Sequence, residues 1–217
     1  MKKSIRRFCL PLSLLTAFIL WTAALLHADV QAVGPGGSCV GLAGMNVPFH
    51  RLTGVNMALY VLTDWLGLIP VGVCAGFAAL GLAQWIRRKG LTKVDRSILI
   101  LGGFYLAVIG CYLFFERFVV NYRPVLISGA LEASYPSSTT LLTMCVIPTA
   151  VMQLRSRLAR CRLRGSLTAL LTAFLAFMVV GRLLSGVHWL SDIIGGGLLS
   201  AALVTLYRAA VLTWPDP

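Results

Sequence analysis

An all-α, polytopic membrane protein with about six transmembrane helices is the fold class this sequence predicts, and three observations carry it. Of the 217 residues 58% are hydrophobic and only 12% charged. Six apolar runs are each close to the roughly 20 helical residues that cross a hydrocarbon core. The basic residues fall in short blocks between those runs. A soluble domain carries about a quarter charged residues, and disordered chains pair low hydrophobicity with high net charge, so both classes are excluded. The chain reads as one integral membrane domain over 1–217.

The first run, 8–27, has no charged residue between Phe8 and Ala28 and follows Lys2, Lys3, Arg6 and Arg7. It is longer than the 7 to 15 residues of a signal-peptide core, so an uncleaved helix is expected. The Gly-rich segment Gly34 to Gly54, with GPGG and two prolines, reads as an outer loop. The apolar stretch Val55 to Trp65 reads as an interfacial helix, because Asp64 and Trp65 suit a membrane boundary. Further runs follow at 66–86, 97–118, 138–154, 166–184 and 191–212, the one at 138–154 being short and carrying Pro148. No internal repeat is present.

The formal charge of +12 is explained by topology. Lys2, Lys3, Arg6 and Arg7, then Arg87, Arg88, Lys89, Lys93 and Arg96, then Arg155, Arg157, Arg160, Arg162 and Arg164 fall on one side if the runs alternate across the membrane, with Arg208 towards it. The other side keeps Arg51, Arg117, Arg123 and Arg182. The positive-inside rule then puts both termini in the cytoplasm, and no nucleic-acid partner is needed to account for the charge. Cys9, Cys39, Cys74, Cys111, Cys145 and Cys161 form no C-x-x-C pair. Neither a disulfide framework nor a zinc site is indicated.

Polar groups within or at the ends of membrane helices are costly to keep there and are functional candidates for that reason. In GRLLSGVHWLSD the spacing is Arg182-x5-His188-x3-Asp192. His188 and Asp192 share one face if a helix begins near His188, so the carboxylate can hold one ring nitrogen and leave the other free. A guanidinium beside such an imidazole suits attack on phosphorus, since it neutralises phosphate oxygens as charge moves. The Asp192-His188 pair also suits a staple between two helices. In NYRP, Arg123 can clamp phosphate or lie among lipid headgroups. In YPSSTT, the hydroxyls of Ser137, Ser138, Thr139 and Thr140 open a helix and suit either an anion site or an ordinary cap. Glu116 and Glu132 flank the loop between these patches, where structural pairing with Arg117 or Arg123 is the expected role and supply of a proton the alternative.

Taken in order, Arg-Pro, Pro-Ser and Arg-x5-His-x3-Asp resemble the type 2 phosphatidic acid phosphatase superfamily of membrane lipid phosphatases, over roughly 60–212. That family's pattern is Lys-x6-Arg-Pro, Pro-Ser-Gly-His and Ser-Arg-x5-His-x3-Asp on a six-helix core. The resemblance implies His188 as the nucleophile forming a phospho-histidine and Asp192 as its orienting partner. It implies Arg123 and Arg182 as the phosphate clamp, with Ser137, Ser138 and Thr139 around the anion. It implies a lipid phosphate or polyprenyl diphosphate as substrate, no metal and no diffusible cofactor, while the charge bias puts the site on the extracytoplasmic side of the cell membrane.

Three positions depart from the pattern. Glu116 stands where the first-motif Lys would be, Gly181 replaces the Ser before Arg182, and Thr139 replaces the second-motif His. Arg117, one residue on, is the candidate to supply the lost cation, although a helical step of about 100° turns it elsewhere. In the family the missing His protonates the leaving group, a contribution of about 10² to 10⁴ in rate. A diphosphate, whose leaving phosphate has a second pKa of about 6, tolerates that loss better than a monoester does. The alternatives are a catalytically silent binder or carrier of lipid phosphates, and a lipid phosphotransferase.

Overall fold

Every expected apolar run is helical in the computed structural model, which describes residues 2–159 and 161–216, with side chains from Arg6 onward. Arg160 and the side chains of Lys2 and Lys3, counted above among the basic blocks, lie outside the described residues. The helices are α1 (Lys2–His27), α2 (Ala43–Thr53), α3 (Met57–Leu66), α4 (Leu68–Arg88), α5 (Arg96–Arg117), α6 (Ser138–Arg157), α7 (Arg162–Leu184) and α8 (Leu190–Thr213). Hydrocarbon offers no water to satisfy a backbone, and a helix satisfies every peptide group within its own run. Among the described residues, strand pairing is limited to two isolated bridges, Gln31 with Val40 and Tyr122 with Ala133.

Among the described residues, five stretches are long and apolar enough to cross a membrane: Arg6–His27, Met57–Arg88, Arg96–Arg117, Arg162–Leu184 and Leu190–Thr213. The sixth expected run, α6, falls short on apolarity but not on length, since its 20 residues extend about 30 Å. The reason is its place in the bundle. It packs against α7 and α8 as well as α4 and α5, and Thr140, Thr143, Thr149 and Gln153 are buried among them. A helix that faces protein does not need a lipid-compatible surface. Within it the Thr149 hydroxyl donates back to the carbonyls of Cys145 and Val146, so this buried polar side chain is satisfied by its own helix.

Two expectations for the segment between the first spans are corrected. The region 34–54 is not loop throughout, because α2 occupies its second half. Asn46 explains why a helix forms there: buried, it donates to Gly41 O and Ser191 Oγ and accepts from Ser191 N, fastening α2 to the start of α8. The stretch around 55–65 does form a helix, capped by Asn56, whose side chain accepts from Leu59 N at 2.9 Å. It is no separate interfacial element, however, since Gly67 keeps helical angles and α3 runs on into α4 as one apolar stretch.

The core lies where α1, α5, α6 and α8 meet, around Phe18, Leu101, Phe104, Leu141, Leu199 and Tyr207. At one end of the bundle Asp95 binds Arg88 at 2.7 Å and Arg157 at 2.8 Å, and Gln84 donates to it. Asp216 accepts from Ser97, Arg96 donates to Pro215 O, and the Arg7 guanidinium donates to Leu212 O. The N-terminal segment, the loop after α4, the end of α6 and the C-terminus therefore gather at one end. The ends of α5 and α7 and the starts of α6 and α8 form the opposite end, where the candidate patches come together.

Candidate active site

His188 sits in the turn between α7 and α8, and the path of that turn depends on the residue two before it. Gly186 has φ +67°, and a Cβ there would stand 1.8 Å from the carbonyl oxygen of Gly54. Only glycine allows this approach, which brings the α2–α3 link against the turn, with Asn56 N donating to Ser185 O at 2.9 Å. Asp192 lies in the first turn of α8, fully buried, and accepts from Trp189 N at 2.9 Å, so it caps the helix that carries it.

The expected direct bond from Asp192 to the His188 ring is not the contact observed. His188 Nδ1 stands 4.0 Å from Asp192 Oδ2. Ser134 bridges them: its hydroxyl donates to Asp192 Oδ2 at 2.5 Å and lies 3.0 Å from His188 Nδ1. The Ser134 carbonyl is 3.2 Å from the same ring nitrogen. A carbonyl can only accept, so Nδ1 carries the proton and the lone pair resides on Nε2. Nε2 is buried with no hydrogen-bond partner among the described residues. Burial, then the charges of Arg123 and Arg182, hold the imidazole well below its ordinary pKa against the pull of the Ser134 carbonyl, which keeps that lone pair unprotonated at neutral pH.

Arg182 is 1% exposed in the last turn of α7, with Nη1 3.4 Å from Thr63 Oγ1 and 3.6 Å from Asp64 Oδ1. Its guanidinium stands 4.8 Å from the centre of the Tyr60 ring, and the Arg123 guanidinium stands 5.9 Å from the same centre. Gly181 is explained by this packing, because a Cβ there would stand 2.7 Å from Thr63 Cγ2 and push α3 off α7. Arg123 is positioned by the loop after α5. Its N donates to Glu132 O, and Ser134 N donates to Asn121 O, so 121–123 and 132–134 lie side by side. Arg123 Nε is 3.3 Å from Glu132 Oε2 but not aligned for a hydrogen bond.

The sequence-derived candidates divide as follows. Ser137 is buried at the N-cap of α6, and its N donates to Asp192 O at 3.2 Å. Ser138 lines both a narrow cavity at His188 and a larger apolar groove, whereas Thr139 lines the groove. Glu116 lines the cavity at His188 together with Tyr112 and Ser134; the exposed Arg117 is not among its lining residues. The groove has a volume of about 430 Å³ between α4, α5 and α6, and a second of about 620 Å³ continues it between α4 and α5. The two share Val71, Cys74, Tyr105 and Ile109. Sequence reasoning missed Ser134, and it took Asp64 for a boundary residue and gave no role to Asn121. Nothing in their spacing marks them, since each reaches the site by tertiary packing.

Among the described residues, Arg123 Nε and Nη1, Arg182 Nε, Ser137 Oγ, Thr140 Oγ1 and His188 Nε2 are buried polar atoms without a hydrogen-bond partner. Buried polar groups are satisfied in the great majority of cases, so such a cluster at one end of the bundle asks for a ligand. Three of the six atoms are guanidinium nitrogens, which fit an anion. No group of three or more His, Cys, Asp or Glu that could hold a metal ion occurs among the described residues.

Fold and site together define a multi-pass helical membrane protein with buried, unpartnered polar atoms gathered at one end beside an apolar groove. The chain belongs to the PAP2 superfamily, whose family model matches residues 103–215. Its fold is similar to that in the crystal structure of the first transmembrane PAP2 type phosphatidylglycerolphosphate phosphatase from Bacillus subtilis, with a TM-score of 0.58 and 18% identity over 94% of this chain and 97% of that one. No curated protein matches the chain.

Proposed function

We propose that this protein is an integral membrane phosphatase that hydrolyses a lipid phosphate or polyprenyl diphosphate through a phospho-histidine on His188. The observation that carries this reading is the buried Nε2 of His188, which has no hydrogen-bond partner among the described residues and shares this end of the bundle with the unpartnered guanidinium nitrogens of Arg123 and Arg182. Arg123, Arg182 and the amides at the start of α6 hold the phosphate oxygens, and Nε2 attacks phosphorus in line with the departing oxygen. The Ser134 carbonyl fixes the tautomer, and the carboxylate of Asp192, acting through the Ser134 hydroxyl, holds that residue in register. The lipid tail lies in the apolar groove between α4, α5 and α6 and its continuation between α4 and α5.

The site faces the extracytoplasmic side in this reading, because the basic blocks gather at the other end and mark the cytoplasm together with both termini. Purified protein in detergent should release phosphate from a polyprenyl diphosphate or a phosphatidic acid, and His188→Ala should abolish that release. No release by the wild type, with lipid phosphate still bound, favours the second reading of a silent lipid-phosphate binder, for which the replacement of a histidine by Thr139 is the supporting observation.

A further inference from the structure

We propose that Asp64 is the catalytic acid that protonates the departing lipid oxygen, a role that rests on the phosphatase reading above. In-line displacement places the leaving oxygen across the phosphorus from His188 Nε2. The apolar tail attached to that oxygen fits the groove and not the narrow cavity at His188. Ser138 lines both spaces, so the phosphate lies at their junction and the leaving oxygen points to the groove's upper end. Thr139, at the position that departs from the histidine pattern, stands there with Asp64. Among the described residues that line the groove, Asp64 alone carries a carboxyl group.

Asp64 is also the one carboxylate within 4.0 Å of Arg182 among the described residues, at 3.6 Å, and its side chain is 58% exposed. It can turn from the guanidinium when phosphate takes its place. A monoester arrives carrying its own proton below its second pKa of about 6. That proton passes to Asp64 as the guanidiniums close on the phosphate oxygens. The P–N bond to Nε2 then forms while the P–O bond to the lipid breaks, and the oxygen that keeps the electron pair takes the proton from Asp64. Water next attacks phosphorus and gives a proton to the Asp64 carboxylate. The P–N bond breaks with its pair returning to Nε2, and Asp64 hands its proton to the released phosphate.

The test compares wild type, Asp64→Asn and Glu116→Gln on phosphatidic acid and on 4-nitrophenyl phosphate, whose leaving group departs without protonation. Asp64→Asn should lose about 10²- to 10⁴-fold in kcat on phosphatidic acid, keep 4-nitrophenyl phosphate turnover within a few-fold, and show no rise in KM. Equal loss on both substrates, or no loss on either, overturns the role. The same leaving-group dependence in Glu116→Gln in place of Asp64→Asn overturns it by moving the proton to the cavity at His188. A wild type that releases phosphate from neither substrate overturns this role, and one that also fails on a polyprenyl diphosphate overturns the phosphatase reading with it, whereas an active wild type matched by Asp64→Asn overturns the role alone.

Discussion

His188 Nδ1 and Asp192 Oδ2 stand 4.0 Å apart, too far for a hydrogen bond, and the Ser134 hydroxyl fills the interval. The four-residue spacing brings ring and carboxylate to one side of the α8 start, as expected from the sequence, but a third residue couples them. Ser134→Ala removes that coupling and leaves the Ser134 carbonyl to hold the ring. The expected loss in phosphate-release turnover is about 10- to 100-fold, in keeping with one buried hydrogen bond to a charged group. Turnover at the level of His188→Ala, or equal to wild type, would contradict the bridging role.

The electrostatics of the site set the acid limb of activity. His188 is held below its ordinary pKa first by burial and then by Arg123 and Arg182, so its lone pair stays available as the pH falls through 6.5. Protonation, and the fall in activity it causes, belongs to lower pH. Arg123→Gln removes one of the two charges and should move the acid limb upwards. The substrate's own ionisation is common to both enzymes, so the difference between their kcat/KM profiles reports the histidine. An unmoved limb would argue against His188 as the titrating group.

Phosphate affinity should separate the cations by position. Arg123→Ala removes buried guanidinium nitrogens that have no hydrogen-bond partner among the described residues, and binding of a lipid phosphate should weaken by about 10- to 100-fold. Arg117→Ala should weaken it less, because Arg117 is exposed on the last turn of α5 while its neighbour Glu116 faces the cavity. Titration of both variants with a non-hydrolysable phosphonate lipid measures the difference. A larger loss in Arg117→Ala would place the second cation there.

Asp95 links α4, α5 and α6 at the opposite end, and its acidity makes that link testable. Burial opposes ionisation, but hydrogen bonds from Arg157, Arg88 and Gln84 outweigh it and hold the carboxyl at about 2. A pKa depressed from 3.8 contributes stability that is present above pH 4 and lost as the pH falls towards 2. Thermal unfolding in detergent should show that loss between pH 4 and 2 in wild type and a smaller pH dependence there in Asp95→Asn. Parallel curves for the two proteins would remove Asp95 from the account.

The helical membrane fold was legible because lipid imposes it: long apolar runs must be helical, and basic blocks mark their ends. Arg123, Arg182, His188 and Asp192 were legible because Arg-Pro and Arg-x5-His-x3-Asp keep their local spacing. The start of α2 was hidden because its stability comes from Asn46 reaching Ser191, a contact across 145 residues. Ser134 and Asp64 were hidden for the same reason, since their neighbours at the site come from α7, α8 and the turn between them. The low apolarity of α6 is likewise a property of its buried surroundings, which its own composition does not reveal.

Brief mixing of the purified protein with a substrate radiolabelled in its terminal phosphate, followed by an alkaline quench, tests the central claim most directly. The account predicts label bound to protein through a bond stable to alkali and labile to acid, mapping to His188 and absent from His188→Ala. Phosphate release with no such label, or label retained in His188→Ala, would contradict it.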